Sequence, residues 1–290
     1  MKETYKLNNK LRLKVTDRCN MHCSFCHSEG SQGAKDLVLD ERACHILERL
    51  RDGFDAVHIT GGEPTLYPSL EELIKKLHDL GYKVSLTING YFPLEKVTRQ
   101  IESVESINFS LHSLNEVFLE KFVKDPQEYK ENVRKNILYL KDKTRVAVNT
   151  VATSDPQQNI REIVEFCFGN KIPINILQEL NKNILPSIKK GFLDHGFTVT
   201  EKIYIYPGSN VRTVFQDKKG NQVLFKEIEH FALESWCGGC PLLNQCDEGF
   251  SFIRLEDNPL RVRMCINREP ISFDTFMKEY YEKIKALLQR

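Results

Sequence analysis

From residue 11 to residue 178 short apolar runs alternate with longer stretches of helical periodicity, and this alternation limits the fold more than any other feature of the chain. The runs are "LRLKVT" (11 to 16), "AVHIT" (56 to 60), "KVSLTI" (83 to 88), "SINFSL" (106 to 111), "RVAVNTV" (145 to 151) and "PINILQ" (173 to 178). Between them lie "DERACHILERLRD", "SLEELIKKLHDLG", "PLEKVTRQIES", "PQEYKENVRKNILYLKD" and "PQQNIREIVEFCFG". Strand-like runs separated by amphipathic helices imply repeated β-α units and a mainly parallel sheet, so the chain is α/β, either a doubly wound sheet or a partial barrel. Asp40, Ser69 and Asp155 stand where helix N-caps belong, with Glu72 three residues after Ser69 in a capping-box pattern.

Beyond about residue 185 the rhythm changes. "FTVTEKIYIYP" reads as a strand, "VRTVFQDKKGNQVLFKEI" as a hairpin turning at Lys219-Gly220-Asn221, and "SFDTFMKEYYEKIKALLQ" as a terminal helix. At 290 residues the chain suits one large α/β domain or a domain with an appended module. The expected division is a core over 1–185 and a C-terminal extension over 186–290 that packs on it, since no linker or internal repeat separates them.

Lysine plus arginine (41) nearly cancels aspartate plus glutamate (40), so no global field recruits nucleic acid or an anionic membrane. The start "MKETYKLNNKLRLKV" lacks the apolar stretch of a secretory signal, and no segment approaches membrane-spanning length, so a cytoplasmic location is expected. In a reducing compartment nine cysteines point to metal, cluster or redox chemistry rather than disulfides. Cys44 and Cys167 lie alone in apolar helical patterns and read as small buried hydrophobes. The other seven fall in two groups.

The first group, "TDRCNMHCSFCHSEG", spaces Cys19, Cys23 and Cys26 as C-x3-C-x2-C. A structural zinc site closes with four ligands and a 4Fe-4S cluster is usually held by four cysteines, so a trio suggests an open iron. His27 is the alternative fourth ligand for zinc, but its place directly beside Cys26 is poor for convergence on the same ion. A second motif, "HITGGEPTLYP", sets Gly61, Gly62, Glu63 and Pro64 at the carboxyl end of the second strand run, the edge where β/α sheets and barrels build their sites. Two glycines let backbone approach a ligand closely; the bland alternative is a strand-to-helix turn with a solvated Glu63.

The cysteine spacing in a loop after the first strand, with Phe25 just before the last cysteine, resembles the radical S-adenosylmethionine (radical SAM) superfamily. The resemblance implies a partial (β/α)6 radical SAM barrel with a C-terminal β-hairpin and cysteine-rich extension. It implies a 4Fe-4S cluster on Cys19, Cys23 and Cys26 whose fourth iron is chelated by S-adenosylmethionine, reductive cleavage to a 5'-deoxyadenosyl radical, and an electron donor such as flavodoxin or ferredoxin. It makes Gly61, Gly62, Glu63 and Pro64 the segment that binds the methionyl ammonium, and Phe25, Asn89, Ser110 and Asn149 further cofactor contacts. Thr87, Gly90 and His112 fall on the same rim, His112 as a candidate substrate contact or acid-base group that a lone histidine does not establish as catalytic.

The second group, Cys237, Cys240, Cys246 and Cys265, is spaced C-x2-C-x5-C-x18-C. Spacing alone leaves structural zinc and an iron-sulfur cluster open. "LRLKVTDRCNMHCSFC" is similar to the start of the molybdenum-cofactor GTP cyclase group, and that likeness favours an auxiliary 4Fe-4S cluster. The chain departs from that group in ending "KALLQR" rather than Gly-Gly and in offering four auxiliary cysteines, so GTP cyclisation itself is not the expected reaction. The leading expectation is a radical SAM enzyme acting on a small polar biosynthetic substrate, with Arg254, Arg261 and Arg263 as candidate anion contacts. The alternatives are a maturase of a ribosomally made peptide, made less attractive by the 18 residues before Cys19, and a non-enzymatic metal-binding module, which leaves Gly-Gly-Glu-Pro unexplained. Composition says nothing of oligomeric state.

Overall fold

A computed structural model describes residues 1–26, 35–96, 99–179, 182–246, 248–250 and 253–289. Six strands form the centre: β2 (Lys10–Lys14), β3 (Ala56–Thr60), β4 (Lys83–Ile88), β5 (Ser106–Ser110), β6 (Arg145–Ala152) and β7 (Ile174–Gln178). Each pairs in parallel with the next in sequence order, which is the winding of a barrel, but β2 and β7 do not pair with each other. The sheet therefore curls into an open half-barrel.

Its free edges are extended by the rest of the chain. On one side β7 pairs with β10 (Gln222–Ile228), and β9 (Asn210–Gln216), β8 (Thr198–Tyr206) and β1 (Lys2–Leu7) follow. On the other, β2 pairs with β11 (Ile253–Glu256), followed by β12 (Arg261–Arg263) and β13 (Ile271–Ser272). The expected hairpin is β9 and β10, with Gly220 at φ 86° in its turn. Strand β1 has no counterpart in the sequence reading, because "KETYKL" is charged and polar at every other position and mostly exposed.

Strand alternation divides the sheet into two chemically different faces. Leu11, Leu13, Val57, Ile59, Val84, Leu86, Ile107, Phe109, Val148, Ile174 and Ile176 face outward and are wholly covered. They meet the apolar stripes of the surrounding helices, such as Ile46, Leu47 and Leu50 of Glu41–Leu50, or Leu73, Ile74 and Leu77 of Leu70–Asp79. Each such aliphatic side chain contributes about 1.5 to 3 kcal/mol when fully buried. The alternate positions face inward and are polar: Arg12 and Lys14, His58 and Thr60, Ser85 and Thr87, Asn108 and Ser110, Asn149, Asn175. A closed (β/α)8 barrel fills its interior with apolar side chains; here the inner face is a polar lumen.

The helix starts are partly as expected. Asp40 caps Glu41–Leu50, accepting from Ala43 N at 2.8 Å. Ser69 makes no capping bond: at ψ 26° it continues the turn after the 3-10 segment Pro64–Leu66 instead of taking extended backbone, so no capping box forms. Asp155 does not cap the helix Ile160–Gly169, which begins after Asn159 in left-handed conformation; it closes its own turn onto Gln157 N and pairs with Lys121. "PLEKVTRQIES" yields only a 3-10 turn, Leu94–Lys96, and a short helix, Arg99–Glu102. Among the described residues no helix is long and apolar enough to cross a membrane.

Candidate active site

The cysteine loop leaves the carboxyl end of β2 and is held by a frame of hydrogen bonds. Val15 N donates to Thr60 O (2.9 Å), Thr16 Oγ1 donates to Asp36 Oδ1 (2.6 Å), and Arg18 grips Asp36 through Nε (3.2 Å) and Nη2 (2.6 Å) while reaching Leu66 O (2.9 Å). A forked guanidinium on a carboxylate fixes orientation as well as distance. Met21 and Phe25 anchor the loop in the core, Phe25 edge-on to His112 (4.7 Å) and Phe122 (5.4 Å). The three thiols stay outside that core: Cys19 and Cys23 are half-buried and Cys26 is exposed.

Burial pushes the Cys19 thiol up to about 11 and the Cys23 thiol up to about 12, and in both the neighbouring sulfurs add to the shift. Thiols crowded and partly dehydrated in this way ionise when a cation compensates them. His27 lies outside the described residues.

The Gly61-Gly62-Glu63-Pro64 segment is pressed directly against this loop. Gly62 N donates to Thr16 O and Glu63 N to Arg18 O, both at 2.7 Å. A Cβ at Gly62 would stand 2.2 Å from Arg18 O, and one at Gly61 2.8 Å from Thr16 O. The glycines thus serve close packing of the strand end on the cysteine loop, a reason the sequence did not disclose. Glu63 is 1% exposed; Oε1 accepts from Thr65 N (3.0 Å) and Thr65 Oγ1 (2.6 Å), and Oε2 from Asn89 N (2.6 Å). Burial raises its carboxyl to about 7 against the pull of these donors. The solvated Glu63 of the bland reading is therefore not what the fold contains.

Asn89 joins three parts of the rim, since its Nδ2 donates to Asn20 Oδ1 in the cysteine loop (2.7 Å) and its Oδ1 accepts from Tyr91 N (2.8 Å). Gly90 follows at φ 74°. Ser110 and Asn149 lie side by side in register on β5 and β6. Asn149 Oδ1 accepts from Asn175 Nδ2 (2.9 Å) and Lys226 Nζ (3.0 Å). Thr87 bonds His58 Nε2 (2.7 Å), and Ser85 bonds its Nδ1 (2.8 Å). His112 is buried, its Nδ1 accepting from Val151 N (3.1 Å), and burial lowers it to about 4. Near pH 7 its imidazole is neutral and its Nδ1 serves the backbone of β6 as an acceptor.

The four later cysteines line one small, partly open pocket together with His230, Trp236, Gly249, Asn267 and Arg268. N–H groups point at the sulfurs: Gly249 N to Cys246 (3.1 Å), Trp236 Nε1 to Cys265 (3.5 Å) and Asn267 Nδ2 to Cys246 (3.6 Å). The Arg268 guanidinium lies over the Trp236 ring at 3.9 Å. Among the described residues no group of three or more His, Cys, Asp or Glu side chains is arranged to hold a single metal ion. Arg261 and Arg263 are engaged by Asp257 (2.7 Å) and Glu256 (2.6 Å), and Arg254 lies 4.0 Å from Glu256. Residues that the sequence reading missed include Asn20, Asn175, Arg212 and Lys226, which depend on pairing between distant segments, and Thr65, which bonds Glu63 two residues before it.

The family model for the radical SAM superfamily matches residues 13–168. A probable GTP 3',8-cyclase of Sulfolobus acidocaldarius is 31% identical over 195 residues, which cover 62% of this chain and 59% of that protein. A probable GTP 3',8-cyclase of Saccharolobus solfataricus is 37% identical over 108 residues, covering 36% of this chain and 35% of that protein. The chain thus spans about three fifths or less of the curated relatives it matches. Among solved structures, Streptococcus suis SuiB bound to S-adenosylmethionine superposes with a TM-score of 0.63 at 16% identity, over 97% of this chain and 68% of that one. SuiB bound to precursor peptide SuiA gives 0.61 at 16% identity, over 97% and 65%. At such identity the likeness is one of fold. Membership of the matched family implies a 4Fe-4S cluster and S-adenosylmethionine, for which the three-cysteine loop on β2 is the fitting donor set. With its model matching more than half the chain, the protein belongs to the radical SAM superfamily.

Proposed function

We propose that this protein is a radical SAM enzyme with two 4Fe-4S clusters that acts on a small polar biosynthetic substrate, such as a nucleotide, sugar or amino-acid derivative. The observation that carries this reading is the cysteine loop bonded to the Gly-Gly-Glu-Pro strand end above a polar lumen. Cys19, Cys23 and Cys26 would hold the first cluster, while Gly61, Gly62, Glu63, Pro64, Phe25, Asn89, Ser110 and Asn149 would border S-adenosylmethionine. When bound, cluster and cofactor supply a 5'-deoxyadenosyl radical that removes hydrogen from a substrate. The chain's own part is orientation and exclusion of water. Asn89 and Glu63 tie the rim to the cysteine loop, and the inner-face amides and hydroxyls offer hydrogen bonds to a polar molecule.

Cys237, Cys240, Cys246 and Cys265 would hold the second cluster. Four thiols around one pocket, with N–H donors aimed at sulfur, suit an iron-sulfur centre whose potential is tuned by hydrogen bonds. Four protein ligands leave no open iron, so this cluster relays an electron or supports the fold. On this reading residues 1–185 carry the core and 186–290 the auxiliary region, and a flavodoxin or ferredoxin supplies the electron. The test replaces Cys19, Cys23 and Cys26 together with alanine. Loss of 5'-deoxyadenosine formation with the second cluster intact is expected; unchanged cleavage would sink the assignment.

A further inference from the structure

The arginines that sequence singled out for anions are occupied by carboxylates of their own, whereas a different pair of cations has no carboxylate partner among the described residues. Lys226 on β10 and Arg212 on β9 stand opposite each other in the hairpin register and so share one face of the sheet, the face of the lumen. Both are partly buried. Among the described residues neither forms an ion pair with a carboxylate, and the one hydrogen bond made by Lys226 is to Asn149 Oδ1 on β6 (3.0 Å). Burial lowers the Lys226 amine to about 7, and the positive charges of Arg212, Arg12 and Lys10 add to the shift. Lys10 opens β2 at the exposed amino-terminal mouth of the half-barrel, and Arg12 is the next inward position on that strand.

We propose that Lys226 and Arg212 form an oxyanion subsite in the lumen, which takes a phosphate or carboxylate group of the substrate. The inference rests on the enzyme reading above and narrows it to anionic substrates. Two like charges, Lys226 and Arg212, held on one partly dehydrated face are unfavourable without a counter-ion. A ligand anion would relieve that repulsion and gain charge-assisted hydrogen bonds from the ammonium and the guanidinium fork. The location suits such a role: Lys226 is fastened to Asn149, which stands beside Ser110 at the carboxyl-end rim. Asn175 Nδ2 holds the same Asn149 oxygen, so the lysine is oriented by two strands rather than free to swing into solvent.

The test is calorimetric titration of the anaerobically reconstituted protein with inorganic phosphate and, separately, with malonate. Ionic strength is kept constant with potassium chloride so that screening does not change. No reductant or S-adenosylmethionine is needed, so the outcome is independent of whether radical cleavage occurs. Saturable binding of either anion is expected; phosphate alone would indicate a phosphate ester as substrate and malonate alone a carboxylate. Lys226→Gln and Arg212→Gln should each weaken that binding at least tenfold, with the exposed Lys190→Gln as an unaffected control. Wild-type protein that shows no saturable binding of either anion overturns the proposal, and this arm decides even if a variant fails to fold. Unchanged affinity in both lumen variants overturns it equally.

Discussion

A single methyl group added at Gly62 should separate the two cluster sites. In Gly62→Ala the new Cβ would lie 2.2 Å from Arg18 O, 2.6 Å from Arg18 C and 2.8 Å from Asp17 O. These are backbone atoms, so no side chain can swing aside. Ordinary contact needs the cysteine loop to retreat by roughly 1 Å. That retreat would break the 2.7 Å hydrogen bonds from Gly62 N to Thr16 O and from Glu63 N to Arg18 O. Two buried hydrogen bonds at about 1 kcal/mol each, with about 1 kcal/mol or more of overpacking strain, give a destabilisation near 3 kcal/mol. For a domain of this size that corresponds to a fall in Tm of roughly 6 to 12 °C. The assay is a thermal melt together with iron content and 5'-deoxyadenosine yield. Iron at the first site and cleavage should both drop, while the site of Cys237, Cys240, Cys246 and Cys265, far along the chain from this contact, keeps its load. A Gly62→Ala variant with wild-type Tm, full iron and full cleavage would refute the packing argument.

Two further outcomes follow from buried groups and caps. His112 is lowered to about 4 by burial alone, from an unfolded value near 6.5, so the unfolded chain binds the extra proton first. Its stability penalty is absent above pH 6.5 and grows as pH falls to 4, to about 3 kcal/mol. His112→Gln should show a flatter Tm between pH 6.5 and 4 than the wild type, and parallel curves would contradict the buried neutral imidazole. Asp40→Ala removes the cap bond to Ala43 N and should cost about 1 kcal/mol in urea unfolding without changing 5'-deoxyadenosine yield; an unaltered midpoint would argue against that cap.

The half-barrel was legible in the sequence because each central strand carries its own apolar period and, apart from β4 with its short Arg99–Glu102 turn of helix, each is followed by a helix with one apolar stripe. The runs at 56 to 60 and 83 to 88 coincide with β3 and β4 residue for residue. Asp40 could be read as a cap, since an N-cap acts on donors within its own turn. Ser69 could not, because the preceding Pro64–Leu66 turn decides its backbone. The cysteine loop and Gly-Gly-Glu-Pro were recognisable by type and spacing, yet the reason for the glycines was hidden: it lies in the loop 45 residues earlier that they touch. Lys226 in "VLFKEI" looks like the solvent face of a hairpin. Only the parallel pairing of β10 with β7 turns that face into the lumen. Strand β1 was missed for the converse reason, since an exposed edge strand needs no apolar alternation.

The central claim is that two cysteine groups hold two clusters and that the first works with S-adenosylmethionine. The most direct test is to purify the wild-type protein anaerobically, reconstitute it with iron and sulfide, count iron per chain and assay cleavage with dithionite. About eight irons per chain, as two cubane clusters require, with formation of 5'-deoxyadenosine is the predicted result. Folded and fully reconstituted protein that binds zinc and yields no 5'-deoxyadenosine would contradict it.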